Sequence, residues 1–216
     1  MKLKKIIAVA LLAVSAMGFQ IANAQSLSPS TKWHWDKGTI VIDTPERPAG
    51  QEHVLGLTAA PVKTVRIGFV GLGMRGPSAV IRFCQIPGVE IVALCDYEEK
   101  RAEAQQRHLR NAGLAPAAIY YGEKGYEELC KRPDVDLIYI ATDWNHHFPV
   151  AKCAMENGKH AAIEVPSAMN LEQCWNLIDL SEKTRLHCFI LENCCYDDYE
   201  MKSLLMAQDG VFGEVI

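Results

Sequence analysis

Val65-Arg66-Ile67-Gly68-Phe69-Val70, followed at once by Gly71-Leu72-Gly73-Met74-Arg75-Gly76, is the stretch on which the fold turns. Its first half is nearly continuous in apolar character and reads as a strand buried on both faces. Its second half is G-x-G-x-x-G, opening a helical stretch at residues 78–85. Between a strand and a helix each glycine has its own reason: Gly71 permits a tight turn, Gly73 lets a pyrophosphate approach the backbone, and Gly76 allows the helix to pack closely. The amides of Met74 and Arg75 then lie at a helix N-terminus, where unpaired N–H groups and the helix dipole favour phosphate. The competing reading is a tight turn that binds nothing.

The next apolar run, residues 89–94, leads to Asp96, 20 residues beyond Gly76. A carboxylate there accepts from ribose hydroxyls and repels a 2′-phosphate, which favours NAD over NADP. Further strand-like runs follow at 118–121, 136–141, 160–164 and 187–191, separated by helical stretches at 98–111, 126–130, 148–157 and 171–183. Strands alternating with helices at this spacing predict βαβ units, a parallel sheet and helices on both faces: an α/β fold, the Rossmann-type doubly wound sheet. The tail from Tyr199 reads as a helix to Gly210, and residues 211–216 read as the start of a new strand. The expectation is a C-terminal α+β substrate domain truncated in this sequence.

Upstream, Lys2, Lys4 and Lys5 precede an apolar run from Ile6 to about Phe19, and Ala22-Asn23-Ala24 supplies a small-x-small cleavage pattern before Gln25. This predicts a secretory signal peptide over residues 1–24, too short to span a bilayer, with an uncleaved anchor as the alternative. No twin-arginine pair occurs in the leader, so the general secretory route to the periplasm is expected. Residues 25–63 are rich in Ser, Pro and Gly, with Trp33-His34-Trp35 and the strand-like Thr39-Ile40-Val41-Ile42, and read as an arm or linker whose tryptophans anchor it by burial. The division expected is therefore leader 1–24, arm 25–63, dinucleotide domain 64–192, and the start of a substrate domain at 193–216.

Without the three leader lysines, 22 basic residues become 19 against 26 acidic ones, and no basic cluster carries interleaved aromatics, which argues against a nucleic-acid partner. All eight cysteines follow the arm, but none forms a C-x-x-C pair, so a structural zinc site is not expected and buried small side chains are the plainer reading.

Two more segments lie where open α/β sheets bind ligands, at the carboxyl ends of strands. Thr142-Asp143-Trp144-Asn145-His146-His147 follows one strand, read as a loop; simple capping and packing of the next helix is the alternative. Adjacent histidines do not share a helix face, which speaks against a metal pair at His146 and His147. Glu164-Val165-Pro166 ends the next strand, where Glu164 is expected to meet the nicotinamide half; an ordinary solvated glutamate is the alternative.

In these motifs residues 64–216 resemble the Gfo/Idh/MocA oxidoreductase family: the glycine fingerprint, the acid ending the second strand, the T-x-x-x-x-H segment and Glu164. Most dehydrogenases of that family carry Glu-Lys-Pro where this sequence has Glu164-Val165-Pro166, and Val165 cannot move a proton as the lysine does. That departure, with Thr142-Asp143-Trp144 and Leu191-Glu192-Asn193-Cys194-Cys195-Tyr196, is similar to glycoside hydrolase family 109, whose members are NAD-dependent α-N-acetylgalactosaminidases.

The resemblance implies cofactor contacts at Met74, Arg75, Asp96, Trp144, Asn145, His146, His147, Glu164, Val165 and Asn193, beside Gly71, Gly73 and Gly76. It implies Tyr196 near the sugar as a catalytic candidate; a packed core tyrosine is the alternative. It also implies hydrolysis by transient oxidation at C3, elimination across C1 and C2, water addition and re-reduction, needing no carboxylate pair about the glycosidic bond. The base is expected from the missing C-terminal part, leaving this piece alone inactive. The partner expected is a glycan or sugar, with no nucleic acid, no membrane once the leader is removed, and a homo-oligomer left open. Two rival functions are an exported NAD-dependent sugar or polyol dehydrogenase and a non-catalytic nucleotide-binding protein.

Overall fold

The structure is a computed structural model and describes residues 33–42 and 46–214. The expected leader lies outside the described residues, as do Val215 and Ile216. The chain divides into two compact units, Met1–Pro45 and Glu46–Ile216.

The described part of the first unit is an antiparallel hairpin, β1 (Trp33–Asp36) and β2 (Thr39–Ile42), turned by Lys37 and Gly38, both at positive φ. The expected burial of its tryptophans is not seen at Trp35, which is exposed.

The second unit contains six parallel strands: β3 (Val65–Val70), β4 (Val89–Asp96), β5 (Ala118–Tyr121), β6 (Leu137–Ile140), β7 (His160–Ile163) and β8 (Cys188–Ile190). Their order across the sheet is β5-β4-β3-β6-β7-β8. Chain order therefore reverses between β3 and β6, and a crevice opens at the carboxyl ends of these two strands. This is the doubly wound Rossmann-type arrangement.

The helices are α1 (Gly76–Phe83), α2 (Glu99–Asn111), α3 (Gly125–Cys130), α4 (Trp144–Glu156), α5 (Leu171–Thr184) and α6 (Asp198–Gln208). Strand side chains alternate between two cores, as a period of two requires. Ile67, Phe69, Leu94 and Tyr139 pack with Val80 of α1 and with Ala102 and Leu109 of α2. Val70, Cys95, Ile138, Ile140 and Ile163 pack with Leu129 of α3, Val150 and Ala154 of α4, and Leu177 of α5. Each fully buried Leu, Ile or Phe contributes ~1.5–3 kcal/mol, so the sheet is held from both sides.

α4 begins four residues earlier than the sequence suggests. Asp143 caps it by accepting from the Asn145 amide at 3.0 Å, and Pro149 sits inside the helix. A proline costs one intrahelical bond, and its presence made the helix look as if it began just before it. The segment 142–147 is thus largely a helical first turn. The strand expected at the C-terminus is not formed through Glu214: residues 211–214 are turn and loop.

Residues 46–64 contain no strand or helix, but their first part is fastened to α5. Arg47 donates from Nε and Nη2 to the two oxygens of buried Glu182, both at 2.9 Å, and Gln51 Nε2 donates to Oε2 at 2.9 Å. These bonds hold the Glu182 carboxyl down at about 2, Arg47 contributing most. Arg185, in the left-handed region at the end of α5, donates to the carbonyls of Glu52 and His53.

All eight cysteines are unbridged: Cys95 and Cys130 are buried, Cys84, Cys153 and Cys188 half-buried, and Cys174, Cys194 and Cys195 exposed. Small buried side chains therefore describe only part of the set.

Candidate functional site

The crevice at the switch point holds a cavity of about 950 Å³, within the size range of small-ligand sites. Its floor is the β3–α1 turn. Gly71 has φ +94°, and a Cβ there would run into the Ala141 backbone at the end of β6. At Gly76 a Cβ would strike the carbonyl of Gly71, so the helix closes on the turn only without a side chain. Gly73 differs: a Cβ would meet nothing nearer than the Arg101 guanidinium at 3.5 Å, leaving its cavity face open. No side chain caps α1, and no acid lies in its first turn; Pro77 has no N–H, so the first-turn amides available to an anion are those of Gly76 and Ser78. These features fit a dinucleotide pyrophosphate: Gly71 and Gly76 stand where no side chain fits, and Gly73 turns an open face to the cavity.

Asp96 lines the cavity but is 6% exposed. Its Oδ2 accepts from the Leu72 amide at 2.7 Å and its Oδ1 from the Glu98 amide at 2.9 Å. The carboxylate thus braces the glycine turn against the start of α2, a role the sequence reading did not foresee. Each oxygen keeps a second lone pair for a ribose hydroxyl. Arg101 was also missed: it lines the cavity, with Nη1 3.7 Å from Asp96 Oδ1 and Nη2 2.8 Å from Glu98 Oε1. The turn after β5 adds Gly122 and Glu123, and α3 adds Tyr126. That turn was findable by the same rule that selected Asp96, since it follows a strand's carboxyl end. Burial pushes the neighbouring Cys95 thiol up to about 12, with Asp96 adding to the effect, so this cavity-lining sulfur is a weak nucleophile.

On the other side of the turn, Trp144, His146 and His147 line the cavity from the first turn of α4, whereas Asn145 is exposed and outside the lining. One step along a helix turns a side chain by about 100°, which carries Asn145 away from its neighbours. His146 Nδ1 lies 2.5 Å from Asp143 Oδ2. Burial pushes the Asp143 carboxyl up, but His146 and the Asn145 amide outweigh it and hold it below its usual value. His147 is buried, with Nδ1 2.7 Å from the Pro166 carbonyl and Nε2 3.1 Å from that of Thr142. It braces the end of β6 against the loop after β7. Among the described residues, no group of three or more His, Cys, Asp or Glu is arranged to hold a metal ion.

Glu164 and Val165 line the cavity beyond β7. Glu164 accepts from the Tyr139 hydroxyl at 2.6 Å, and its Oε2 lies 3.9 Å from Arg75 Nε. Arg75 Nη2 donates to Asn193 Oδ1 at 3.0 Å. Arg75 therefore reaches from the glycine turn toward both Glu164 and Asn193, although Asn193 does not itself line the cavity. Met74 lines it and is largely exposed. Tyr196 is 90% exposed, in the turn after Cys194, and lies outside the lining. Within this chain Tyr196 does not pack into either core.

Residues 65–191 match the model of an oxidoreductase family described by its NAD-binding Rossmann fold. The whole chain is 74% identical over 216 residues to glycosyl hydrolase family 109 protein 3 of Phocaeicola vulgatus, covering 39% of it. Over 178 residues, 82% of this chain, it is 57% identical to glycosyl hydrolase family 109 protein 1 of Bacteroides thetaiotaomicron, covering 38% of that protein. The chain spans about two fifths of the length of these relatives. Among solved structures, it is similar to the myo-inositol dehydrogenase of Lactobacillus casei in complex with NAD(H) and myo-inositol. That likeness has a TM-score of 0.62 at 23% identity and covers 69% of this chain and 43% of the other, a likeness of fold.

Proposed function

This chain belongs to the Gfo/Idh/MocA oxidoreductase family, and from that premise we propose that the full-length protein is an NAD-dependent glycosidase of the α-N-acetylgalactosaminidase type. The observation that carries the reading is Val165: it lines the cavity beside Glu164, where most dehydrogenases of this family carry a lysine that assists proton transfer. The similarity to glycosyl hydrolase family 109 proteins supports a glycosidase.

When bound, the dinucleotide supplies reversible oxidation at C3 of the sugar, which acidifies the C2 proton, allows loss of the C1 substituent and, after water addition, is undone. This chain's own residues provide the setting. The uncapped first amides of α1 hold the pyrophosphate over the open face of Gly73. Asp96 keeps the turn in shape and faces the adenosine ribose. Asp96 in the cavity would repel a 2′-phosphate, and Arg101 beside it is already paired with Glu98; this supports NAD over NADP. Glu164 faces the nicotinamide end, and Val165 places beside it an apolar side chain that cannot carry a proton. The base at C2 and most sugar contacts belong to residues beyond this chain; Tyr196 stands exposed as its contribution to the sugar. Export rests on the Lys2–Lys5 charge and the Ala22-Asn23-Ala24 motif.

The test is incubation of the full-length protein with p-nitrophenyl α-N-acetylgalactosaminide. Nitrophenol is expected without matching NADH. Accumulation of NADH in proportion to product would refute the glycosidase and favour a sugar dehydrogenase.

A further inference from the structure

The mechanism above makes no use of Tyr139, yet it makes the shortest side-chain contact to a residue of the nicotinamide end. Tyr139 is on β6, 2% exposed, its ring stacked on Phe69 at 4.9 Å and edge-on to Phe83 at 5.5 Å. Three packed aromatic rings fix where its hydroxyl can be, and that place is 2.6 Å from Glu164 Oε1. Glu164 is itself 8% exposed and has a cation within turning distance, Arg75 Nε at 3.9 Å from Oε2. Oε1 holds the tyrosine hydroxyl while Oε2 stands at the outer edge of ion-pair distance from Arg75; without the hydroxyl nothing in the structure stops the carboxylate closing on Arg75, which would cancel more of its field.

We propose that Tyr139 is a positioning residue that stops Glu164 closing fully on Arg75, so that more of the carboxylate's charge acts on the nicotinamide end and biases the site toward the oxidised dinucleotide. The inference rests on the dinucleotide reading given above. Its physics is simple. The oxidised nicotinamide ring is a cation and the reduced ring is neutral, so a fixed anion in a partly water-excluded site favours the oxidised form. An enzyme that must return every reducing equivalent to its product gains from such a bias, because the oxidised form is the one ready for the next sugar. Burial, and then Glu164 itself, push the Tyr139 hydroxyl well above its usual range, so it remains a donor at every working pH.

The measurement is the ratio of NADH to NAD⁺ dissociation constants, by titration calorimetry and NADH fluorescence on the full-length protein. Glu164→Gln removes the charge but keeps an acceptor for Tyr139, and is expected to lower the ratio roughly tenfold, equivalent to ~1.4 kcal/mol. Tyr139→Phe keeps the ring packing and the charge but frees the carboxylate, and is expected to lower the ratio about three- to tenfold. The double variant is expected to match Glu164→Gln alone, because the tyrosine acts only through the glutamate. An unchanged ratio in Tyr139→Phe, equal weakening of both forms, or an additive double variant overturns the inference and leaves the dinucleotide site standing. If Tyr139→Phe does not fold, an unchanged ratio in Glu164→Gln overturns the inference alone. Failure of the unaltered protein to bind either form overturns the proposed function and this inference together.

Discussion

Replacing Asp96 by Asn separates two roles of one carboxylate. Both oxygens accept backbone amides, Leu72 N–H at 2.7 Å and Glu98 N–H at 2.9 Å, in a side chain 6% exposed. A carboxamide has one acceptor oxygen and one donor nitrogen, so at least one of those amides would face an NH₂ group instead of an acceptor. A hydrogen bond to a charged group is worth ~1.5–3 kcal/mol, and stranding its partner costs ~1–3 kcal/mol. The cavity beside Asp96 admits water, which places the cost for Asn at about 2 kcal/mol and for Ala, which strands both amides, at about 3–4 kcal/mol. The assay is hydrogen exchange at the Leu72 and Glu98 amides in nucleotide-free full-length protein, with NAD⁺ titration alongside. Exchange at both sites is expected to accelerate before any ligand is added, more in Ala than in Asn. Wild-type protection in both variants, with only NAD⁺ affinity reduced, would show that Asp96 serves the ribose alone and that the bracing role is wrong.

Two other predictions address the glycine turn and the opposite edge of the sheet. Gly73→Val should leave the apo fold intact by circular dichroism yet abolish measurable NAD⁺ binding, whereas Gly71→Ala should also destabilise the protein, since it needs φ +94° and meets the Ala141 backbone; equal effects on folding would contradict the separate roles. His160 accepts the His187 amide on Nδ1 at 2.9 Å, and burial, then His187, lower its pKa from the ordinary 6.5. The unfolded chain therefore binds the proton more readily than the folded one. This contribution to stability is complete above about pH 6.5 and is lost as pH falls from there through the lowered folded value. His160→Asn, which keeps an acceptor but does not titrate, should flatten the fall in denaturant midpoint between pH 7 and 5; an unchanged slope would refute it.

The strands were legible because they are short apolar runs between helical stretches, the central ones buried on both faces. Residues 65–70 and 118–121 fall where the apolar runs put them, and the switch point follows from their alternation with helices. The need for glycine at Gly71 and Gly76 was legible too, since a positive φ or a backbone contact excludes a side chain at each. The start of α4 was not, because Pro149 looks like a first-turn proline and hides the cap at Asp143. Nor were the partners of Asp96, Arg101 and Glu164. Tyr139 and Glu164 stand 25 residues apart and meet only because β6 and β7 are neighbours in the sheet, and no local spacing encodes such a pair. Tyr196 was selected by resemblance; its 90% exposure is a surface waiting on something local sequence does not describe.

The fastening of Arg47 to Glu182 joins residues 135 positions apart. A chain made from its N-terminus must hold that early segment undocked until β7 and α5 exist to receive it. The clasp therefore belongs to the late steps of assembly, where a contact of such separation repays its loop-closure entropy only once the intervening sheet has formed. An early segment that docks late reports completion: protease cleavage near Arg47 would mark molecules whose sheet is still unfinished at its β7–β8 side.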